Sequence, residues 1–192
     1  MRSLAALLQR ERPSVAVRNP REAQLLFRLL DELGLEGAVS VGSHGVEVPH
    51  RVLETGDPAA LACWLASLVE RGEVVVGVDM GAANIGVAVI VGGVLAYTDV
   101  MRSAELLSQR LLNLAELGFR VRVRIGCPAH LSETARSLVE ALERTGIGVD
   151  VIRDERVKDA VILGDFTILE KLSKHEVDAI KIALAGAGGN RH

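Results

Sequence analysis

Three carboxylates fall at positions from which an α/β chain can do metal or phosphate chemistry. Asp79 ends the apolar run Val74, Val75, Val76, Gly77, Val78 and is followed at once by Met80 and Gly81. Asp and Gly are poor strand residues, so an acid there needs a reason. Either the strand is a rigid rod holding Asp79 at a sheet edge, or Asp79 begins a turn with Gly81 as its permissive residue. Glu155 stands in Asp154-Glu155-Arg156, directly after a short strand at 149–152. Asp178 borders the helical stripe of Val177, Ile180 and Leu184. Carboxyl ends of parallel strands converge on one rim, where ligands bind. Asp79 and Glu155 would reach that rim from two strands, and Asp178 from a helix packed over it. Converging carboxylates repel unless a divalent cation neutralises them, and oxygen ligands select Mg²⁺ or Mn²⁺. A metal held in this way suits phosphodiester hydrolysis. The plainer alternative is that Asp154, Glu155, Arg156 and Lys158 form ordinary surface pairs, each contributing little.

The elements that must position these acids read as follows. Residues 74–80, 85–91 and 94–100 are strands, with Gly92-Gly93 as a two-residue hairpin turn. Residues 103–117 form a helix with Leu106, Leu107, Leu111 and Leu114 inward. A strand at 119–125, a helix at 132–144 capped by Ser132, the strand at 149–152, and helical stretches at 165–172 and 174–185 complete the chain. Three meandering strands followed by alternating helices and strands predict a mixed sheet with helices on its faces. Residues 1–72 read as a small α/β segment, leaving 73–192 as the main domain. The segment opens with a short amphipathic helix after Leu4 and a strand at 14–17. Asn19-Pro20-Arg21-Glu22 then carries the signals of a capped helix start, with Ala23, Leu26, Phe27, Leu30 and Leu33 at helical spacing. Strands at 38–42 and 46–53 flank Ser43-His44-Gly45, and a helix from Asp57-Pro58 buries Leu61, Trp64, Leu65 and Leu68. His44 and His50 are lone histidines near turns.

Composition narrows the class. The chain has 192 residues, is 49% hydrophobic but only 3% aromatic, and carries a net charge of −3. Its core must therefore be built from Val, Leu, Ile and Ala, and the charge argues against a generally basic nucleic-acid coat while leaving room for a local basic surface. Cys63 and Cys127 lie far apart without metal-ligand spacing, which fits a reduced, cytoplasmic protein. No apolar run approaches the ~20 residues of a membrane span.

Taken together, the motifs resemble the ribonuclease H-like superfamily, and within it the RuvC and YqgF group of Holliday-junction-resolvase-like proteins. Gly77-Val78-Asp79-Met80-Gly81, with Gly86 and Ala88 beyond, is similar to the first-strand motif of that group. Asp154-Glu155-Arg156 resembles the Asp-Glu-Arg of YqgF proteins, and Gly126-Cys127-Pro128 their Gly-x-Pro after the fourth strand. His175-Glu176-Val177-Asp178-Ala179-Ile180 resembles the last-helix motif that supplies the final acid. The resemblance spans 74–188. It implies a three-layer ribonuclease H-like sheet with Asp79, Glu155 and Asp178 as catalytic metal ligands for Mg²⁺ or Mn²⁺. His175, one helical turn before Asp178, would face the same way and position a water or a phosphate. The chain departs from the group in two respects. RuvC proteins carry a glutamate at the end of the fourth strand, where this chain has Arg124-Ile125-Gly126, and residues 1–72 have no counterpart.

The implied activity is metal-dependent hydrolysis of structured DNA or RNA, with a homodimer if two-fold junctions are cut. Arg124, Arg156, Lys158 and Lys174 are the candidate nucleic-acid contacts. Arg120, Arg122 and Arg124 alternate along one strand, which puts three guanidiniums on one face. They could meet phosphates or pair with acids of the N-terminal segment. Two other function classes stay open: a non-catalytic binding module on the same scaffold, and a single-domain relative of the actin-like ATPases, whose phosphate-binding hairpin residues 77–84 also resemble.

Overall fold

In the computed structural model the described residues are 1–127, 132–153, 157–158, 160, 162 and 169–185. A six-stranded sheet forms the centre, in the order β1-β7-β6-β5-β8-β9. Its strands are β1 (Arg2–Ser3), β5 (Val74–Met80), β6 (Ile85–Val91), β7 (Val94–Met101), β8 (Val121–Cys127) and β9 (Gly148–Arg153). β6 runs antiparallel to both neighbours, while the β1–β7, β5–β8 and β8–β9 pairs are parallel. Gly92 and Gly93, at φ 55° and 85°, make the tight β6–β7 turn expected of the Gly-Gly pair.

Strand alternation divides the core. Val74, Val76 and Val78 join Val87, Val89, Val123 and Ile125 in the larger cluster on one face. That face is covered by α1 (Leu4–Glu11), α4 (Pro58–Val69), α5 (Ala104–Glu116) and α6 (Glu133–Arg144). The opposite face, with Ala88, Ile90 and Leu95, is covered by the last helix, α7 (Lys174–Ala185), through Ala179, Ile180 and Ala183. The architecture is thus the expected three layers, a mixed sheet with helices on both faces.

Residues 1–72 add a second, three-stranded sheet in the order β3-β2-β4, from β2 (Ser14–Ala16), β3 (Ser40–Gly42) and β4 (Val46–Glu47). Helices α2 (Pro20–Glu32) and α3 (His50–Glu54) accompany it. The capped start of α2 forms as read: Asn19 accepts from the Glu22 amide at 2.9 Å, and Glu22 Oε2 accepts from the Arg18 amide at 2.9 Å. Helix α4 is buried along Ala59–Ala66, touching α1, α2 and α3 on one side and β6 and β7 on the other. An all-round apolar helix of this kind belongs in the middle of a core.

Several local expectations are corrected. The segment 46–53 is not one strand; β4 stops at Glu47 and Pro49 leads into α3, since its ring removes a ladder donor and suits a helix entrance. β3 and β4 do not pair as a hairpin but flank β2 in parallel. The loop between them crosses over Ser14, whose hydroxyl donates to the His44 carbonyl at 2.7 Å. There a Cβ on Gly45 would lie 2.4 Å from the Ser14 carbonyl oxygen. The predicted strand at 119–125 forms two residues later, at Val121–Cys127. Leu106, read as inward, is exposed, as is Phe27 among the helically spaced residues of α2. β1 had no sequence signal, being two residues that gain their strand character only by lying beside β7. Among the described residues no helix is long and apolar enough to cross a membrane.

Candidate functional site

Alternation along β5 sends Val75, Gly77 and Asp79 to the face covered by α7. The residues beside Asp79 on its two neighbouring strands are Gly86 of β6 and Gly126 of β8. These glycines form a trough under α7. A Cβ at Gly77 would fall 2.0 Å from the Ala179 carbonyl oxygen, and one at Gly86 2.1 Å from that of His175. At Gly126 it would meet Ile182 Cδ1 at 2.4 Å. Glycine inside a strand often marks such a close backbone approach, and Ala179 and Ala183 keep the helix side equally small.

Close seating of α7 brings its first turn onto the end of β5. His175 Nδ1 lies 2.7 Å from Asp79 Oδ2. Glu176 fixes that turn, accepting from the Thr98 hydroxyl of β7 at 2.7 Å and from the Ser173 amide at 2.9 Å. The Glu176 amide in turn donates to Ser173 Oγ at 3.3 Å, completing a capping box. Asp178, one turn further on, has Lys181 Nζ 3.6 Å from its Oδ1. Asp79, Gly126, Lys158, Lys174, Asp178 and Lys181 line one open cleft of about 370 Å³. The side chains of Asp79 and Asp178 are 26% and 27% exposed, so both acids remain accessible from it.

Of the residues singled out by sequence, Asp79, Asp178, Lys158 and Lys174 therefore line one cleft, and His175 sits against Asp79 beside it. Glu155 and Arg156 lie outside the described residues, as does Pro128 of the Gly-x-Pro motif. Arg124 is buried beneath α7, where its guanidinium donates to the Ala183 carbonyl near the helix C-terminus. Among the described residues its Nε, 3.8 Å from Asp150, has no hydrogen-bond partner, and burial pulls its pKa below the usual arginine value against the pull of Asp150. The rest of the arginine row is paired, Arg120 with Glu73, and Arg122 with Asp150 and Glu73. Sequence reasoning missed the glycine trough and the contact of Lys181 with Asp178. Gly77, Gly86 and Gly126, each within a strand, were the signal for the first.

Counted from β5, the main sheet runs third, second, first, fourth, fifth, with the second strand reversed. The fold is ribonuclease H-like. Solved structures similar to this chain include two of RuvC. The Thermus thermophilus RuvC in complex with Holliday junction substrate is 20% identical, with a TM-score of 0.47, over 60% of this chain and 92% of that one. A second Thermus thermophilus RuvC structure is 18% identical, with a TM-score of 0.44, over 59% and 93%. No protein-family model matches the chain, and no curated protein does. The strand order with its reversed second strand defines this fold.

The donors around the cleft suit a hard divalent cation by type, two carboxylates with an imidazole beside one of them. The ammonium of Lys181 already stands against Asp178 as a cation would. The cage is not closed, however: among the described residues no three His, Cys, Asp or Glu side chains gather closely enough to enclose a metal. At Gly126, beside Asp79, the space for another carboxylate is taken by Ile182.

Proposed function

We propose that this chain is a divalent-metal-dependent nuclease of ribonuclease H-like type, hydrolysing phosphodiesters in structured DNA or RNA. The observation that carries the reading is the meeting of Asp79 and Asp178 in a cleft that three lysines also line. Carboxylates at a strand end and on a helix turn are held rigidly, as metal ligands must be. Asp79 and Asp178 would hold Mg²⁺ or Mn²⁺, with Glu155 as the proposed third acid. A divalent ion bound there would supply positive charge against the charge developing on the phosphodiester. Lys158 and Lys174 would bind the backbone phosphates on either side, and His175 would orient Asp79 through the 2.7 Å contact. Arg156 is a further proposed phosphate contact, and Arg124 would act only by holding the end of α7.

The chain's four lysines, Lys158, Lys171, Lys174 and Lys181, all fall in its last 35 residues. In a chain of net charge −3, the three of them that line the cleft, against two carboxylates, are the local excess of cations that a polyanion needs. We propose further that residues 1–72 form a segment that supplies the α4 layer over the far face, with 73–192 carrying the chemistry. A cytoplasmic setting suits the buried Cys63 thiol, whose pKa burial pushes up and which therefore stays protonated. Two-fold cutting of a junction would take a homodimer.

A non-catalytic binding module on the same scaffold is the second reading, favoured by the missing side chain at Gly126. Titration calorimetry with Mn²⁺ separates the two. The nuclease reading expects binding, in the presence of nucleic acid if not without it, that disappears in Asp79→Asn. Binding equal in both proteins, or no binding in either state, favours the module.

A further inference from the structure

Each acid of the cleft already has a partner in the free protein. Asp79 meets His175, and Asp178 meets Lys181. Lys174, Asp178 and Lys181 lie at i−4, i and i+3 on α7 and so share one face of the helix. With Lys158 across the cleft, the described lining presents three ammonium groups against two carboxylates. A cation approaching Asp178 therefore meets Lys181 first, whereas a phosphate meets an attractive surface.

We propose that Lys181 is the resident counter-ion of Asp178, and that a phosphate backbone entering the cleft draws it away and opens Asp178 to the divalent cation. The inference rests on the nuclease reading and concerns the order in which that site fills. Lysine suits the role because its ammonium is a compact point charge on a flexible stem. It can leave Asp178, 3.6 Å away, for a phosphate without moving the helix. Nucleic acid binds first, through Lys158, Lys174 and the released Lys181, and the metal follows. Linkage makes the effect reciprocal, so the metal tightens nucleic-acid binding by the same factor. Such an arrangement keeps the free protein from loading metal when no substrate is present.

The test is Mn²⁺ titration calorimetry on the full chain, alone and with a short phosphorothioate-linked DNA duplex, which keeps the backbone charge and resists hydrolysis. Wild type is expected to bind Mn²⁺ about tenfold more tightly, or better, with the duplex present. Lys181→Met is expected to bind it tightly without duplex, so that the ratio falls toward one. Lys181→Arg, which keeps a cation on Asp178, is expected to retain most of the ratio. A lysine acting only as nearby charge would shift both states alike and leave the ratio unchanged. If Lys181→Met shows an unchanged ratio while Mn²⁺ binding still depends on Asp79, the inference falls and the nuclease reading stands. If no variant shows Asp79-dependent Mn²⁺ binding in either state, both fall.

Discussion

Both faces of the large sheet carry a cluster of acids and bases, but the two clusters are completed in different ways. On the face covered by α4 and α5, Arg110 lies between Asp57, the N-cap of α4, at 3.1 Å and Asp99 of β7 at 2.8 Å. Tyr97 donates to Asp99 at 3.0 Å, and its ring lies 5.3 Å from the guanidinium carbon. Burial pushes the Asp57 carboxyl up, with Arg110 pulling the other way. For Arg110 burial works to lower the pKa, but Asp57 and Asp99 hold it above the ordinary value. Every charge there has a protein partner, and the result is a clamp joining the N-cap of α4, helix α5 and strand β7. On the other face Asp79, Asp178 and three lysines line an open cleft, and the charges are set against flexible or titratable partners. Complete internal pairing locks elements together, while partial pairing at an open mouth leaves groups for a ligand.

The largest expected effect breaks the closed cluster. Arg110→Ala leaves Asp57 buried without its ion partner, which should cost about 3–5 kcal/mol in urea unfolding. Gly86→Ala strikes the open site from beneath by forcing the His175 carbonyl off the sheet. A cost of about 1–3 kcal/mol is expected for such overpacking, together with loss of metal or nucleic-acid binding in the same calorimetric assay. Lys174→Ala sharpens the contrast, since removing a cleft charge should change stability by less than about 0.5 kcal/mol. It should reduce the salt slope of nucleic-acid binding by about one. The smallest effect is a pH dependence at Asp57. Because its pKa is raised above the ordinary 3.8, the folded protein holds more protons than the unfolded chain just above that pH. Stability should therefore fall as pH rises through the window between the two pKa values and level off above it. Asp57→Asn keeps a capping side chain and should flatten that part of the curve of thermal midpoint against pH.

Much of this was legible in the sequence, for identifiable reasons. The Val run of β5 ending in Asp79, the Gly92-Gly93 turn and the caps at Asn19 and Ser132 are local signals, and each formed where local chemistry put it. Asp79 and Asp178 share a cleft and His175 touches Asp79, as strand alternation and helical spacing allow, but among the described residues the three do not gather into one cluster. What was not legible depends on partners distant in sequence. β1 is a strand only because β7 lies beside it, and α4 is buried all round only because elements from both parts of the chain enclose it. The arginine row could equally meet phosphates or pair with acids of residues 1–72, and its actual partners, Glu73, Asp150 and the Ala183 carbonyl, lie outside that segment. Lys181 on Asp178 is an ordinary i,i+3 pair in sequence, and it gains meaning only from the cleft it faces.

The most direct test of the central claim is cleavage of a four-way DNA junction and of a structured RNA in Mg²⁺ or Mn²⁺, comparing wild type with Asp79→Asn. Wild type is expected to cut at least one of them and the variant to be slower by about a hundredfold or more, with an unchanged circular dichroism spectrum. Equal cleavage by the two proteins, or no cleavage by wild type in either metal, would contradict it.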